Sequence, residues 1–322
     1  METVSTEFNE KILDHFTNPR NVGEIKNADG YAKVGDPGCG DFIKVWINIK
    51  DERITDFKYK VFGCWGAIST TSVTSELAIG KTIKEAIKLT DDDVIKELGG
   101  IPKNKQHCSL LGIQGLRTAI ADFLVKENHK KYTARIDLYR SHGYDIPTLR
   151  EKMVQQLNGL PKDAAILDIG AGKGHLSLAI TKSGKRCTAV DNSSEEIYLL
   201  RLNAIYFALD DLIDFQEQDA RQLKFAADSF DAILSAAFFH HVIHPELVLN
   251  EMLRVCKSNG RIIISDLNEK GQQTLSMVLK KEGKDHVMIG RSLKKIKNWF
   301  ENKKFEVKLI HEDCEDMIIV FI

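Results

Sequence analysis

The chain has 322 residues, more than a single ordinary domain of about 100 to 200 residues uses, so two compact domains are expected. Its 43% apolar and 28% charged residues, with only 6 prolines and no low-complexity run, exclude long disorder. A formal net charge of -1 excludes a nucleic-acid partner held by bulk electrostatics.

At the N-terminus, METVSTEFNEKILDHF mixes acidic and basic residues without an apolar run, unlike a secretory signal, and no stretch of about 20 apolar residues offers a membrane span. No membrane partner is expected, and cytoplasmic residence follows. Thiols stay reduced there, so the 6 cysteines are not read as a disulfide framework. They must be explained by burial, reactivity or metal.

In chain order, residues 7–16 carry Phe8, Ile12, Leu13 and Phe16 at helical spacing and stop before Asn18-Pro19. FIKVWINIK at 42–50 and RITDFKYKVF at 53–62 read as two strands of a hairpin turned at Asp51-Glu52. Helices follow from Cys64 to about Leu77, at 82–88, at 91–98 and over roughly 109–128. Strands first and helices after predict an α+β domain with helices on one face, over residues 1–128.

The segment 129–150, polar and aromatic-rich without a strong period, reads as a linker, with Tyr132, Tyr139 and Tyr144 as lid candidates or as junction packing. From 151 to 322 the pattern alternates. Strand 164–169, helix 174–182, strand 186–191, helix 194–208, strands 213–218 and 230–236, helix 245–256 and strand 260–266 predict crossover helices and a parallel sheet. A helix at 292–301 and extended runs at 305–311 and 316–322 close the chain.

Three cysteines of the first domain keep unusual company. Cys39 lies with Asp41 in the glycine-rich GDPGCGD, Cys64 in FGCWGAIS and Cys108 beside His107 in KQHCS. Cys64 and Cys108 each stand at the start of a predicted helix, where the positive end of the dipole favours the thiolate that binds metal or attacks sulfur. Cys39, Asp41, Cys64, His107 and Cys108 are therefore candidate ligands for one iron or zinc site with an exchangeable position. Packing alone is the alternative for any one of them, since free cysteine is often buried.

FNEKILDHFTNPRNVG, GCGD, GCWGAIS, HCS and AIADFL, in this order over residues 7 to about 127, resemble the IscU/NifU N-terminal family of iron-sulfur cluster scaffolds. The resemblance implies Cys39, Cys64 and Cys108 as cluster ligands, with Asp41 and His107 as exchangeable partners. It implies Cys108 as the persulfide acceptor, a [2Fe-2S] cluster or iron as cargo, and zinc in isolated protein. A cysteine desulfurase and apo iron-sulfur acceptor proteins are the implied partners. Trp65 departs from the family's small residue, Phe8 from its common Tyr, and IPKNK at 101–105 lacks the second proline of the chaperone-recognition motif.

In the second domain ILDIGAGKGHL places Gly170, Gly172 and Gly174 between a strand and a helix, where a tight turn lets backbone approach a ligand. The GxGxG spacing leaves His175 where a dinucleotide fingerprint needs its third glycine. Asp191 ends the next strand about 20 residues on, where a carboxylate accepts from ribose hydroxyls. Asp219 ends the third strand; either acid taken singly is as well an ordinary strand-end carboxylate.

From ILDIGAGKG through AVDNS, QDARQL, FDAILSAAFFHHV and LRVCKSNGRIIISD to the final hairpin, residues about 150–322 resemble class I S-adenosylmethionine-dependent methyltransferases. The resemblance implies a Rossmann-like seven-stranded, mostly parallel sheet and S-adenosyl-L-methionine as methyl donor. Asp168, Gly170, Ala171, Gly172 and Gly174 would hold its methionine end, Asp191 and Asn192 the ribose, Asp219 and Ala220 the adenine, and Ser235 would line the pocket. His240 and His241, just beyond the fourth strand, are candidate bases or a structural pair.

The two halves together predict a bifunctional protein: a cluster or persulfide scaffold joined to methyl transfer onto a sulfur, thiol or metalloid acceptor. A silent sensor of S-adenosylmethionine controlling the scaffold, or a methyltransferase with a structural zinc site, are the alternatives. Oligomeric state, with a dimer one outcome, is left open.

Overall fold

The computed structural model describes residues 9–35, 40–102, 107–281 and 292–322, the side chains of 107–109 and 281 excepted. The chain divides into two compact units, Met1–Lys126 and Glu127–Ile322.

The first unit opens with α1 (Glu10–Thr17), whose N-cap Asn9 accepts the Ile12 N–H through its side chain at 2.9 Å. Three antiparallel strands follow, β1 (Gly30–Gly35), β2 (Phe42–Lys50) and β3 (Arg53–Phe62), in the order β1-β2-β3. Asp51 and Glu52 turn the β2–β3 hairpin with φ of 50° and 59°, the mirror-image turn that matches strand twist. Alternation then puts Ile43, Val45 and Ile47 on the core side, with Ile54, Phe57 and Tyr59 of β3 buried beside them.

Helix α2 (Trp65–Ala78) is unusual for a helix in being rich in Ser and Thr, residues that compete for backbone bonds elsewhere. Burial resolves the competition: Thr70, Thr71 and Thr74 donate their hydroxyls to the carbonyls of Gly66, Ala67 and Thr70 at 2.8, 2.7 and 2.8 Å. Short helices α3 (Ile83–Ala86) and α4 (Asp91–Glu97) each begin with a capping box, Thr82 with Glu85 and Thr90 with Asp93.

Helix α5 (His107–Ser141) extends well beyond the end near residue 128 expected from sequence. Tyr132, Ile136 and Tyr139 stand at i, i+4 and i+7 along it, and the last two are buried. Strand β1 was not expected either, since GYAKVG is short and glycine-bounded.

The second unit continues with α6 (Ile146–Gln155), β4 (Ile166–Ile169), α7 (His175–Lys182), β5 (Cys187–Asp191), α8 (Ser194–Tyr206) and β6 (Ile213–Glu217). Then come β7 (Phe230–Ala236), α9 (Pro245–Val255), β8 (Cys256–Leu267), α10 (Glu269–Lys281), α11 (Leu293–Asn302), β9 (Glu306–His311) and β10 (Glu315–Phe321). The seven strands order as β6-β5-β4-β7-β8-β10-β9. Strand β10 runs antiparallel to β8 and β9, while the pairs from β6 through β8 are parallel. This is the expected Rossmann-like sheet, and β4 is buried along its whole length because helices cover both faces.

Strand order reverses at β4, which has β5 on one side and β7 on the other. A crevice therefore opens beyond the carboxyl ends of these strands, the place where open α/β sheets bind ligands. Helix α10, absent from the sequence reading, buries Val278 and Leu279.

Candidate functional site

In the first unit Asp41 stands immediately before β2 and Cys64 is the N-cap of α2. The Cys64 N–H donates to Asp41 Oδ2 at 3.2 Å. Gly63 permits the approach, for a Cβ there would lie 2.6 Å from Asp41 Cγ. Asp41 and Cys64 are thus neighbours at a helix N-terminus, and their side chains are of the hard and soft types that a thiophilic ion with one exchangeable oxygen ligand would take.

Trp65, the first residue of α2, packs against the hydrophobic core of this unit. Cys39 and the side chains of His107 and Cys108 lie outside the described residues, although α5 begins at His107 and so places Cys108 in its first turn. Among the described residues no three metal-binding side chains gather. Cys187, Cys256 and Cys314 are buried, and burial pushes the Cys256 thiol up to about 12.

In the second unit the loop after β4 turns at Gly170, with φ of 71°. Its N–H and that of Ala171 donate to Val190 O at 2.9 and 3.0 Å, anchoring the turn to β5. A Cβ on Gly170 would lie 2.3 Å from the Phe238 ring, so the glycine is required by close packing as well as by its backbone angle. Asp191, at the end of β5, accepts the Gly172 N–H on Oδ2 at 2.9 Å and the Ser193 N–H on Oδ1 at 3.0 Å. Each carboxylate oxygen has two acceptor sites, so Asp191 keeps capacity for hydroxyls of a ligand.

Two cavities open at this crevice. One of about 580 Å³ is walled by Val190, Asp191, Asn192, Gln218, Asp219, Ala220, Phe238 and Val248. The other, about 360 Å³, is lined by Asp168, the glycine turn, Lys173, His175, His240, Leu267, Leu275 and the basic side chains Arg135 and Arg150. Both share Gly170 and His241.

Asp168 is fully enclosed, and burial pushes its carboxyl up to about 7 although Ser177 donates to it at 2.6 Å. His175 is driven down to about 3 by desolvation and by Arg150, so its ring is neutral. Behind the chamber Arg150 grips Glu315 through two bonds of 2.7 Å, and Tyr144 and Ser265 also donate to Glu315.

These features fit S-adenosylmethionine at both ends. The larger cavity offers a carboxylate for a ribose between apolar walls, and the smaller one places Asp168 by a backbone turn for an amino-acid end. When bound, the donor supplies an electrophilic methyl on a sulfonium.

Residues 7–130 match the NifU-like N-terminal domain family, and residues 167–264 match a methyltransferase domain family. The iron-sulfur cluster assembly scaffold protein IscU 1 of Archaeoglobus fulgidus is 52% identical over 119 residues, 37% of this chain and 78% of the relative. The chain belongs to the IscU scaffold family. The IscU scaffold protein of Aquifex aeolicus is 42% identical over 135 residues, 41% of this chain and 86% of that protein. The solved structure of a SAM-dependent methyltransferase from Aquifex aeolicus overlays with a TM-score of 0.44 and 18% identity, over 60% of this chain and 97% of that one.

Of the expected ligand set in the IscU-type unit, Asp41 and Cys64 have described side chains, and the Cys64 N–H is bonded to the Asp41 carboxylate. In the methyltransferase-type unit, Asp168, Gly170, Ala171, Gly172, His240 and His241 line the smaller cavity, and Gly170, Asp191, Asn192, Asp219, Ala220 and His241 the larger. Gly174 and Ser235 line neither. Gly174 instead lets α7 lie on α8, a Cβ there falling 2.0 Å from Leu200 Cδ1. Ser235 is buried in β7 and donates to Ile169 O at 2.9 Å, so its hydroxyl ties two strands.

Asp219 is committed to Arg221, which meets its carboxylate at 2.7 Å and holds it below the usual carboxylate range. Of the aromatic candidates, Tyr139 and Tyr144 line the smaller cavity, while Tyr132 stacks on His175 with ring centres 4.7 Å apart.

Sequence reasoning missed Asp266, which bonds His240 Nδ1 at 2.5 Å. An acid ending the strand IIISD was the available signal. It also missed Phe238 and the Arg150–Glu315 pair, for which a separation of 165 residues leaves no local trace.

Proposed function

We propose that the chain is a bifunctional protein: its IscU-type unit, bounded near residue 128, carries a [2Fe-2S] cluster, iron or persulfide sulfur, and residues from about 151 transfer methyl groups from S-adenosyl-L-methionine. Residues 129–150 join the two and help enclose the acceptor. The acceptor is a thiol, persulfide, sulfide or metalloid ion.

The observation that carries the reading is the pairing in one chain of the Asp41–Cys64 donor pair with the crevice of the second unit. Tethering on one polypeptide raises the effective concentration of a sulfur-bearing site and a methyl donor for each other. The scaffold ligands are Cys39, Asp41, Cys64, His107 and Cys108, with Cys108 receiving persulfide from a cysteine desulfurase and the cluster passing to apo acceptor proteins. The donor is held by Asp168, Gly170, Ala171, Gly172, Asp191, Asn192 and Ala220. Cytoplasmic residence fits this chemistry, and no described helix is long and apolar enough to cross a membrane.

The test is anaerobic reconstitution with iron and sulfide, followed by methyl transfer to sulfide, small thiols and arsenite, measured as S-adenosylhomocysteine. A visible cluster spectrum that moves to an apo-ferredoxin, and product that falls at least tenfold in Cys108→Ser when persulfide is the acceptor, are expected. Binding of the donor without product from any acceptor would favour a silent sensor instead, and a metal site that takes only zinc and transfers nothing would favour a structural site.

A further inference from the structure

The turn after β7 carries His240 to the smaller cavity, where a carboxylate bonds both its ring and its backbone N–H. Asp266, near the end of β8, accepts His240 Nδ1 on Oδ1 at 2.5 Å and the His240 N–H on Oδ2 at 2.9 Å. The Leu267 N–H adds a third bond to Oδ1 at 2.8 Å, and Ala237 N–H ties the turn to Ser265 O at 2.8 Å. Both side chains are only 4% exposed.

Both oxygens of Asp266 already accept backbone N–H groups, those of His240 and Leu267, so the carboxylate is the acceptor toward the ring as well and the proton of that bond belongs to Nδ1. That tautomer makes Nε2 the basic nitrogen, the arrangement in which a buried acid orients an imidazole for proton transfer. His241, its neighbour with ring centres 4.0 Å apart, is exposed. Among the described residues, the charged groups lining the same chamber are Asp168 on β4, Lys173 in the glycine loop, Arg135 on α5 and Arg150 on α6. Arg150 is neutralised by Glu315, and Arg135 donates to the Tyr139 hydroxyl at 2.8 Å, while the Lys173 ammonium favours negative charge developing on an attacking atom.

We propose that His240 takes a proton from the methyl acceptor and that Asp266 is its positioning residue, which makes the acceptor a small molecule whose nucleophilic atom carries a proton. The inference rests on the methyltransferase reading of the second unit. As the acceptor atom X bonds to the methyl carbon, the carbon–sulfur bond breaks and its electron pair stays on sulfur, leaving a neutral thioether. The X–H proton passes to Nε2, and the imidazolium charge is met by Asp266. A cavity of about 360 Å³ that also receives the amino-acid end of the donor suits a small acceptor.

The test pairs two thiols in the full-length protein, 2-mercaptoethanol, mostly protonated at pH 8, and 4-nitrothiophenol, already ionised there. His240→Gln should slow methylation of 2-mercaptoethanol about a hundredfold and Asp266→Asn at least tenfold, while 4-nitrothiophenol loses much less, because base catalysis of this kind is worth about 10² to 10⁴. Asp266→Glu should recover part of the loss. Nitrogen-15 spectra of the histidine rings with S-adenosylhomocysteine bound provide a second readout, independent of turnover. They should show neutral His240 protonated on Nδ1, and Asp266→Asn should erase that preference.

Equal losses with both thiols, or a neutral ring protonated on Nε2, would overturn the proposal. Calorimetry separates the two levels: wild-type protein that fails to bind S-adenosylmethionine sinks the methyltransferase reading itself, whereas normal binding with either contrary result sinks only the base.

Discussion

At Asp168 a carboxyl group is buried beside a backbone turn, with Ser177 as its hydrogen-bond donor at 2.6 Å, and its protonation shifts up to about 7. An ordinary aspartate in the unfolded chain ionises near pH 4. Between these values the folded state holds the extra proton, so stability falls as pH rises from about 4 to about 7, by an amount on the order of 4 kcal/mol at most. Asp168→Asn should therefore flatten the pH dependence of urea unfolding between pH 5 and 8 and stabilise the ligand-free protein at pH 8, while weakening S-adenosylmethionine binding. An unchanged slope would show that the carboxyl is already ionised in the folded state. The same side chain illustrates what could be read early: its place ahead of the glycine turn was visible in ILDIGAGKG, but its enclosure depends on β4 being covered on both faces, which no local pattern records.

Among elements, the strand–turn–helix unit after β4 contains glycines with different duties. Gly172 has φ of 50° and open space around its would-be side chain, the nearest atom being Glu196 Oε2 at 4.0 Å. Gly174 combines φ of 92° with the near contact to Leu200 of α8. Gly174→Ala should cost about 2 to 3 kcal/mol by urea midpoint, from overpacking and backbone strain, and Gly172→Ala about 1 kcal/mol. Equal costs would contradict the packing role given to Gly174.

Three regularly spaced glycines look alike in sequence, and only the approach of α8 separates the cavity-lining turn from the helix contact. Helix α5 makes the complementary point. Tyr132, Ile136 and Tyr139 do hold a helical period, but charged neighbours dilute it, and the expected end near residue 128 fell short of Ser141.

Across the second unit as a whole, Arg150 of α6 and Glu315 of β10 join segments distant in sequence through a bidentate, fully buried ion pair. The Glu315 carboxyl is held below its usual range by Arg150, even though burial alone would raise it. Its stabilising effect is therefore present above the unfolded value near pH 4 and is lost as pH falls through the lower folded value. Glu315→Gln leaves a buried guanidinium without its counter-charge and should destabilise the protein by about 3 to 5 kcal/mol. Replacing both partners, Arg150→Met with Glu315→Leu, should recover most of that loss. Thermal unfolding of the single and double variants at pH 7 checks this, and a double variant no better than the single would mean that the pair also organises Tyr144 and Ser265.

At this largest scale sequence and structure divide their information by range. Sequence by itself determined the two-part organisation, the alternating strands and helices of the second unit, and the family of the first, because these rest on periodicity and on motifs within a few residues. Only the tertiary structure decided that Asp266 stands behind His240, that the Ser235 hydroxyl bonds Ile169 O on the neighbouring strand, that Asp219 is engaged by Arg221, and that Arg150 meets Glu315. Side-chain partners on different strands are chosen by the order in which the sheet assembles, and that order is set by packing of the whole unit.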